Sequence, residues 1–175
     1  MGQLCLVLLL SAAQAPRIFT RSDPKIDHLV WVRKLPPYLD KKRVGFLPFQ
    51  VPDSVSPEPP SFAEILQQLV QAENAARSVT VAGSVAFAAD DVDAAARFGR
   101  LQGYDLVVLG RVDSLFRRSN GGLVLKITLR LVSTSKGEVL WYGAKKADWI
   151  RYFPLEDCLR SLAYAFLDDL LGAVR

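Results

Sequence analysis

The sequence predicts a single α/β domain on a mixed β-sheet, with the element order βαβαβββα and helices packed on the sheet. Three observations carry the prediction. A capped helix that opens at Asp90 and stops at Gly103 leads directly into the apolar run of residues 106–109. Two long strand patterns joined by a glycine-containing turn, residues 135–138, come next. Finally, half of the 175 residues are apolar, which suits one domain with one core.

The first half of the domain predicts parallel strands. Residues 44–47 are continuously apolar, as expected of a strand covered on both faces. Residues 50–60 contain four prolines and indicate a stiff exposed loop. A helix with the capping box Ser61 and Glu64 follows, and a second short strand is marked by Val79 and Val81. Because helices connect the first three strands, right-handed crossovers should make these strands parallel.

The second half predicts antiparallel strands and a final helix. Every second residue from Leu123 to Leu131 is apolar, while Lys126, Thr128 and Arg130 point the other way, so one face should be buried and the other wet. Glycine-containing turns at residues 120–122 and 135–137 flank this strand. The last helix should follow Pro154, with Glu156 and Asp157 in its first turn.

The N-terminus indicates a targeting segment. Residues 1–15 contain an apolar run, residues 4–10, followed by small residues that a signal peptidase accepts, with Ala13 the preferred cleavage position. The run is too short to span a membrane. No Lys or Arg precedes Leu4, which counts against export, and a buried N-terminal strand is the alternative.

Residues 16–42 form a basic, proline-containing lead segment, and the domain proper is predicted at residues 43–175. From Pro16 to Arg43 there are eight basic residues against three acidic ones, while the whole chain has a net charge of +4. Such a segment could contact an anionic polymer or lipid headgroups, or it could be a solvated linker. Residues 28–33 are a candidate edge strand within it.

The residue types needed for covalent or metal chemistry are sparse. The sequence contains neither of the glycine-rich nucleotide-binding motifs GxGxxG and GxxxxGK(S/T). The single histidine, His28, lies in the lead segment, and Cys158 falls on the apolar side of the last helix. The carboxylates of Asp90, Asp91 and Asp93 are explained by helix capping. We therefore expect no catalytic residue, no metal site and no cofactor.

Three segments resemble known envelope proteins: "RVGFLPF", "ARFGRLQGYDLVVLGRV" and "KITLRLVSTSKGEVLW". They resemble the domain shared by CsgG-type envelope lipoproteins, lipoprotein activators of penicillin-binding proteins and the TolB N-terminal domain. The match covers residues 43–171, and the fold type is also similar to anticodon-binding domains. Tyr104 departs from the usual small residue, and Lys136 separates Ser135 from Gly137, where the families have threonine directly before glycine.

The resemblance implies a non-enzymatic protein of the periplasm or cell envelope. It would bind a partner protein or cell-wall component during assembly of an envelope structure. The resemblance leaves open whether the protein self-associates, and after signal removal its membrane contact would be peripheral at most. One alternative is a nucleic-acid-binding module, which export would exclude. Another is a hydrolase or transferase, which would require a concave pocket with shifted titratable groups.

Two surfaces are candidates for partner binding. The first joins the end of the lead segment to the proline-rich loop, because proline preorganises a loop for binding. The second precedes the last helix, where aromatic residues beside an arginine are common interface anchors, unless the rings only cover the end of the core. The candidate residues are Lys41, Lys42, Arg43, Gln50, Asp53 and Glu58 on the first surface and Trp149, Arg151, Tyr152 and Phe153 on the second.

Overall fold

The computed structural model describes residues 25–32, 39–51, 62–72, 76–81, 87–88, 90–150 and 152–172. These residues form six strands, three α-helices and a short 3-10 helix, Leu39–Lys41. The strands are β1 (Lys25–Val32), β2 (Arg43–Phe46), β3 (Ser78–Val81), β4 (Leu106–Arg117), β5 (Leu123–Ser133) and β6 (Glu138–Trp149). The helices are α1 (Phe62–Ala72), α2 (Val92–Leu101) and α3 (Leu155–Gly172).

All six strands belong to one mixed sheet in the order β1-β6-β5-β4-β2-β3. The pairs β2–β3 and β2–β4 are parallel, which confirms the crossover prediction. The pairs β4–β5, β5–β6 and β1–β6 are antiparallel. The candidate strand in the lead segment is therefore present as β1, and it pairs along its length with β6.

The helices cover the sheet unequally. Apolar residues of α1 and α3 share one large core with the strands, including Leu66 and Phe166 against Phe46 and Ile127. On the opposite face, α2 packs a smaller core against the parallel part of the sheet, around Val107 and Leu109 and the end of β5. Helix α2 also reaches the start of β6 at Val139, but among the described residues no helix covers most of the α2 side of β5 and β6.

The observed order confirms the predicted βαβαβββα domain, with β1 added at its start. Two element boundaries differ from the prediction. The N-cap of α2 is Asp91, whose carboxylate accepts the Ala94 N–H at 3.1 Å, so the expected start at Asp90 is one residue early. Strand β4 continues to Arg117 instead of ending at Leu109, because the long hairpin with β5 supplies its backbone partners.

Candidate partner-binding surfaces

The basic residues of the first candidate surface lie where β2 begins. Lys41 is the last residue of the 3-10 helix, Lys42 follows it, and Arg43 is the first residue of β2. Arg43 is already used inside the domain: its backbone N–H and its Nε donate to Asp105 Oδ2 at 2.9 and 3.4 Å. The hydrogen bond from the Arg43 backbone, helped by the guanidinium, lowers the pKa of Asp105. Arg43 therefore already forms an ion pair within the domain.

The segment 103–110 explains much of the sequence resemblance in structural terms. Gly103 ends α2 with φ +76°, a conformation that favours glycine, and the Tyr104 N–H closes the helix on the Gly99 carbonyl at 2.8 Å. Gly110 leaves room for the ring of Phe49, since an added Cβ would overlap that ring. These residues position backbone and core, and none of them presents a reactive group.

The loop half of the first surface begins at Gln50, which is held to β4 by its backbone. The Gln50 N–H donates to the Gly110 carbonyl at 3.0 Å, and the Val112 N–H donates to the Gln50 carbonyl at 2.8 Å. Asp53 and Glu58 lie outside the described residues. Arg43 contacts Asp105 and Gln50 pairs with Arg111, six residues further along the chain of β4, which places Arg43 and Gln50 about 20 Å apart. Lys41–Arg43 and the start of the loop thus lie at opposite ends of β2 and do not form one compact patch.

The second candidate surface divides into core and exposed residues. Trp149 is 3% exposed and belongs to the large core, so it is a packing residue and not an interface anchor. Phe153 is partly buried against the same core, which agrees with the alternative that rings cover its end. Tyr152 is 68% exposed. Arg151 lies outside the described residues.

Tyr152 is part of an exposed group that we call the hairpin-end surface: Phe116, Arg117, Ile150 and Tyr152. These residues lie at the end of the sheet where β4 turns into β5. The Arg117 guanidinium stacks 4.9 Å from the centre of the Tyr152 ring and donates to the Phe153 carbonyl at 3.3 Å. Phe116 and Ile150 are 53% and 73% exposed, and alternation along β4 puts Phe116 on the opposite face of the sheet from Arg117. An aromatic ring beside arginine, with exposed apolar side chains at the same end of the sheet, is typical of a protein-binding surface.

A further surface was not among the predicted sites. We call it the bare sheet face, meaning the α2 side of β4, β5 and β6 beyond the reach of α2. Alternation along β5 had indicated that Lys126 and Arg130 would point away from the core, but only strand pairing shows which charges join them. The described charged residues of this face are Arg111, Asp113, Arg118, Lys126, Arg130, Lys146 and Asp148.

The described residues offer little for catalysis. Burial raises the pKa of the Cys158 thiol to about 11, so it is protonated at neutral pH and is a poor nucleophile. No group of three or more metal-binding side chains occurs among the described residues. Asp91 is the α2 cap, and Asp93 lies in the first turn of the same helix. In the same part of the chain, no helix is long and apolar enough to cross a membrane.

One pocket among the described residues is apolar and small. It lies between α1, α3 and the sheet, with Leu66, Trp141 and Leu170 among its lining residues. Its volume of about 20 Å³ leaves room for roughly one water molecule. Ligand pockets normally have volumes of hundreds of Å³. This pocket is therefore too small to hold a typical substrate.

Comparison with solved structures shows the same fold in other proteins. A single-substitution variant of the PelC dodecamer from Paraburkholderia phytofirmans superposes with a TM-score of 0.63 at 19% identity, covering 84% of this chain and 97% of that chain. A second PelC dodecamer structure from this organism has a TM-score of 0.61 at 19% identity and covers 78% and 93% of the two chains. Lipoprotein GNA1162 from Neisseria meningitidis has a TM-score of 0.50 at 16% identity and covers 75% and 99%.

This protein has the PelC-like fold of those structures. The match confirms, at the level of the fold, the resemblance that the segments at residues 43–49, 96–112 and 126–141 indicated. No protein-family model matches the chain, and no curated protein matches it. Because every identity quoted is below 20%, the comparisons establish architecture and leave function to the surfaces of this chain.

Proposed function

We propose that this protein is a non-enzymatic component of the cell envelope that binds a partner protein or cell-wall component during assembly of an envelope structure. The observation that carries the proposal is the shared fold. Nearly the whole of PelC and of the lipoprotein GNA1162 superposes on this chain. The predicted signal segment, residues 1–15, supports export and lies outside the described residues.

The chemistry of the described residues supports a binding role over catalysis. A buried thiol with a raised pKa and a pocket with room for one water do not make an active site. The hairpin-end surface, in contrast, has the composition of a protein-binding patch. We place the main partner contact there, because the rings of Phe116 and Tyr152 are exposed and do not contribute to the core.

The cellular location of the protein is tested on native material. Cell fractionation should recover it from the envelope, and mass spectrometry should find a mature start near Gln14. Recovery from the cytoplasm with residues 4–10 still attached would contradict export. Copurification of that cytoplasmic form with nucleic acid would instead support the nucleic-acid-binding alternative.

Partner binding is tested by cross-linking in the native envelope, followed by capture with tagged variants. Tyr152→Ala combined with Ile150→Ala should reduce partner recovery at least about tenfold, as expected when exposed anchors are truncated. Leu101→Ala is the matched control, because Leu101 is an equally exposed apolar residue, 84% exposed, at the end of α2. If the double variant captures the partner as well as Leu101→Ala does, the contact lies elsewhere.

We also propose that several copies of this chain associate. The two PelC structures are of dodecamers, and the fold shared with them supports self-association of this chain. Sedimentation of the purified protein tests this directly, and a monomer at all concentrations would end the idea.

A further inference from the structure

We propose that the bare sheet face of one copy binds the acidic outer side of α1 and α3 of a second copy, in a head-to-tail contact. The inference rests on the proposed self-association and names the two surfaces that would carry it. It comes from the charge distribution on opposite sides of the sheet.

The bare sheet face is basic. Its described charges are five basic residues, Arg111, Arg118, Lys126, Arg130 and Lys146, and two acidic ones, Asp113 and Asp148. Both acids are already bound: Arg111 donates to Asp113 at 2.6 Å, and Arg118 donates to Asp148 at 2.5 Å. The face therefore keeps an excess of positive charge.

Two of these cations lie in an unfavourable arrangement. Lys126 and Lys146 are directly opposite each other on β5 and β6, and both are exposed. Like charges at directly opposed positions of a sheet destabilise the pair. A carboxylate supplied by another molecule would reduce this repulsion, so binding there would bring an electrostatic gain.

The opposite side of the molecule is acidic. Glu64 on α1 and Glu156, Asp157 and Asp168 on α3 are all exposed. Among the described residues of these two helices, Arg160 is the basic one, and it is bound to Glu156 at 3.1 Å. Asp157 and Asp168 are three helical turns apart, so they lie on one stripe of α3 about 16 Å long. This stripe presents negative charge outward from the helical layer.

The two surfaces lie on opposite sides of the sheet, so one copy cannot satisfy both by a symmetric two-fold contact. Each copy would offer its bare sheet face to one neighbour and its helical layer to the next, which produces a ring or a filament. The contact would also cover the polar side of β5 and β6 with helices, giving the sheet helices on both faces as in other α/β proteins. Self-association through these surfaces should weaken as salt rises.

The test uses paired charge reversals on the full mature chain. The first variant is Lys126→Glu with Lys146→Glu, and the second is Asp157→Lys with Asp168→Lys. By sedimentation velocity at low salt, each variant should associate at least about tenfold more weakly than the parent, because like charges then face each other. An equimolar mixture should recover the parent assembly, since every contact between the two variants again joins opposite charges.

The control is Arg97→Glu with Lys136→Glu, which changes the net charge as much as the first variant but alters exposed residues on α2 and the β5–β6 turn. It should assemble like the parent. Circular dichroism checks folding, and Lys126→Gln with Lys146→Gln replaces the first variant if the reversal unfolds it. Parent-like assembly of both reversals, or no recovery in the mixture, would overturn the proposal. A first variant that self-associates normally but no longer binds anionic lipid vesicles would overturn it in favour of a membrane contact. None of these outcomes tests the envelope location or partner binding, which the fractionation and capture experiments test separately.

Discussion

Replacing Asp169 with Ala should destabilise the fold more than replacing its partner Lys145 with Met. Lys145 lies on β6 facing α3, with its side chain 3% exposed, and its Nζ contacts Asp169 Oδ2 at 2.5 Å. The ammonium group also lies 5.5 Å from the centre of the Phe166 ring. Asp169 is 26% exposed, so the two partners differ in how easily they can return to water.

The magnitudes follow from this difference. Removing one partner of a buried ion pair costs about 3–5 kcal/mol when the remaining charge stays buried, and the partial exposure of Asp169 puts the pair at the low end of that range. Removing a carboxylate near a helix C-terminus returns about 0.5 kcal/mol, and the better helix propensity of Ala returns a similar amount. Asp169→Ala should therefore cost about 2 kcal/mol. Lys145→Met should cost less than about 1 kcal/mol, because Met keeps the apolar stem and the exposed carboxylate can turn to solvent.

Urea denaturation monitored by tryptophan fluorescence would measure both variants and their combination. With a typical slope of about 2 kcal/mol per molar urea, Asp169→Ala should lower the midpoint by about 1 M. The double variant should be about as stable as Lys145→Met alone, since no buried charge is left. Lys146→Met is the control, because Lys146 is exposed on the other face and its loss should change stability by less than about 0.5 kcal/mol. Equal costs for the two single changes, or additive costs in the double variant, would refute the reasoning.

Three further predictions concern single positions. Gly143→Ala should destabilise the protein by about 1–3 kcal/mol in the same urea assay, because the added Cβ would overlap the Trp141 ring. A loss of stability below about 0.5 kcal/mol would show that the ring can move. Cys158 should resist thiol reagents until the protein unfolds, since its pKa is about 11. Cys158→Ala should lower the free energy of unfolding by about 1–3 kcal/mol without loss of partner capture. Loss of capture at unchanged stability would mean that the thiol takes part in binding. Because the folded pKa of Asp105 lies below its ordinary value of 3.8, its hydrogen bonds with Arg43 stabilise the fold above that pH and lose this effect as pH falls through the folded pKa. The midpoint of Asp105→Asn should therefore decline less on acidification than that of the parent, and parallel declines would contradict the assignment.

Local pattern was enough to predict most elements of this fold. The alternation from Leu123 to Leu131 has the period of a half-buried strand, and the apolar spacing of α1 and α3 has the period of a helix, so each element is encoded within its own residues. Parallel pairing followed as well, because a helical connection between strands permits little else. The same local information predicted the exposed charges of β5 but not which surface they would join.

The placement of functional residues depended on contacts between distant parts of the chain. Arg43 looked available in the sequence, yet folding brings Asp105 within hydrogen-bonding distance of it. Trp149 and Tyr152 are three residues apart with similar chemistry, and only the packing of β6 against the helices decides that one is buried and the other exposed. The basic face arises because β5 and β6 pair in a register that puts Lys126 opposite Lys146. Sequence by itself determined the elements and their order, since periodicity and turn chemistry are local, whereas tertiary structure decided which charges and rings remain at the surface, since burial depends on what packs above each residue.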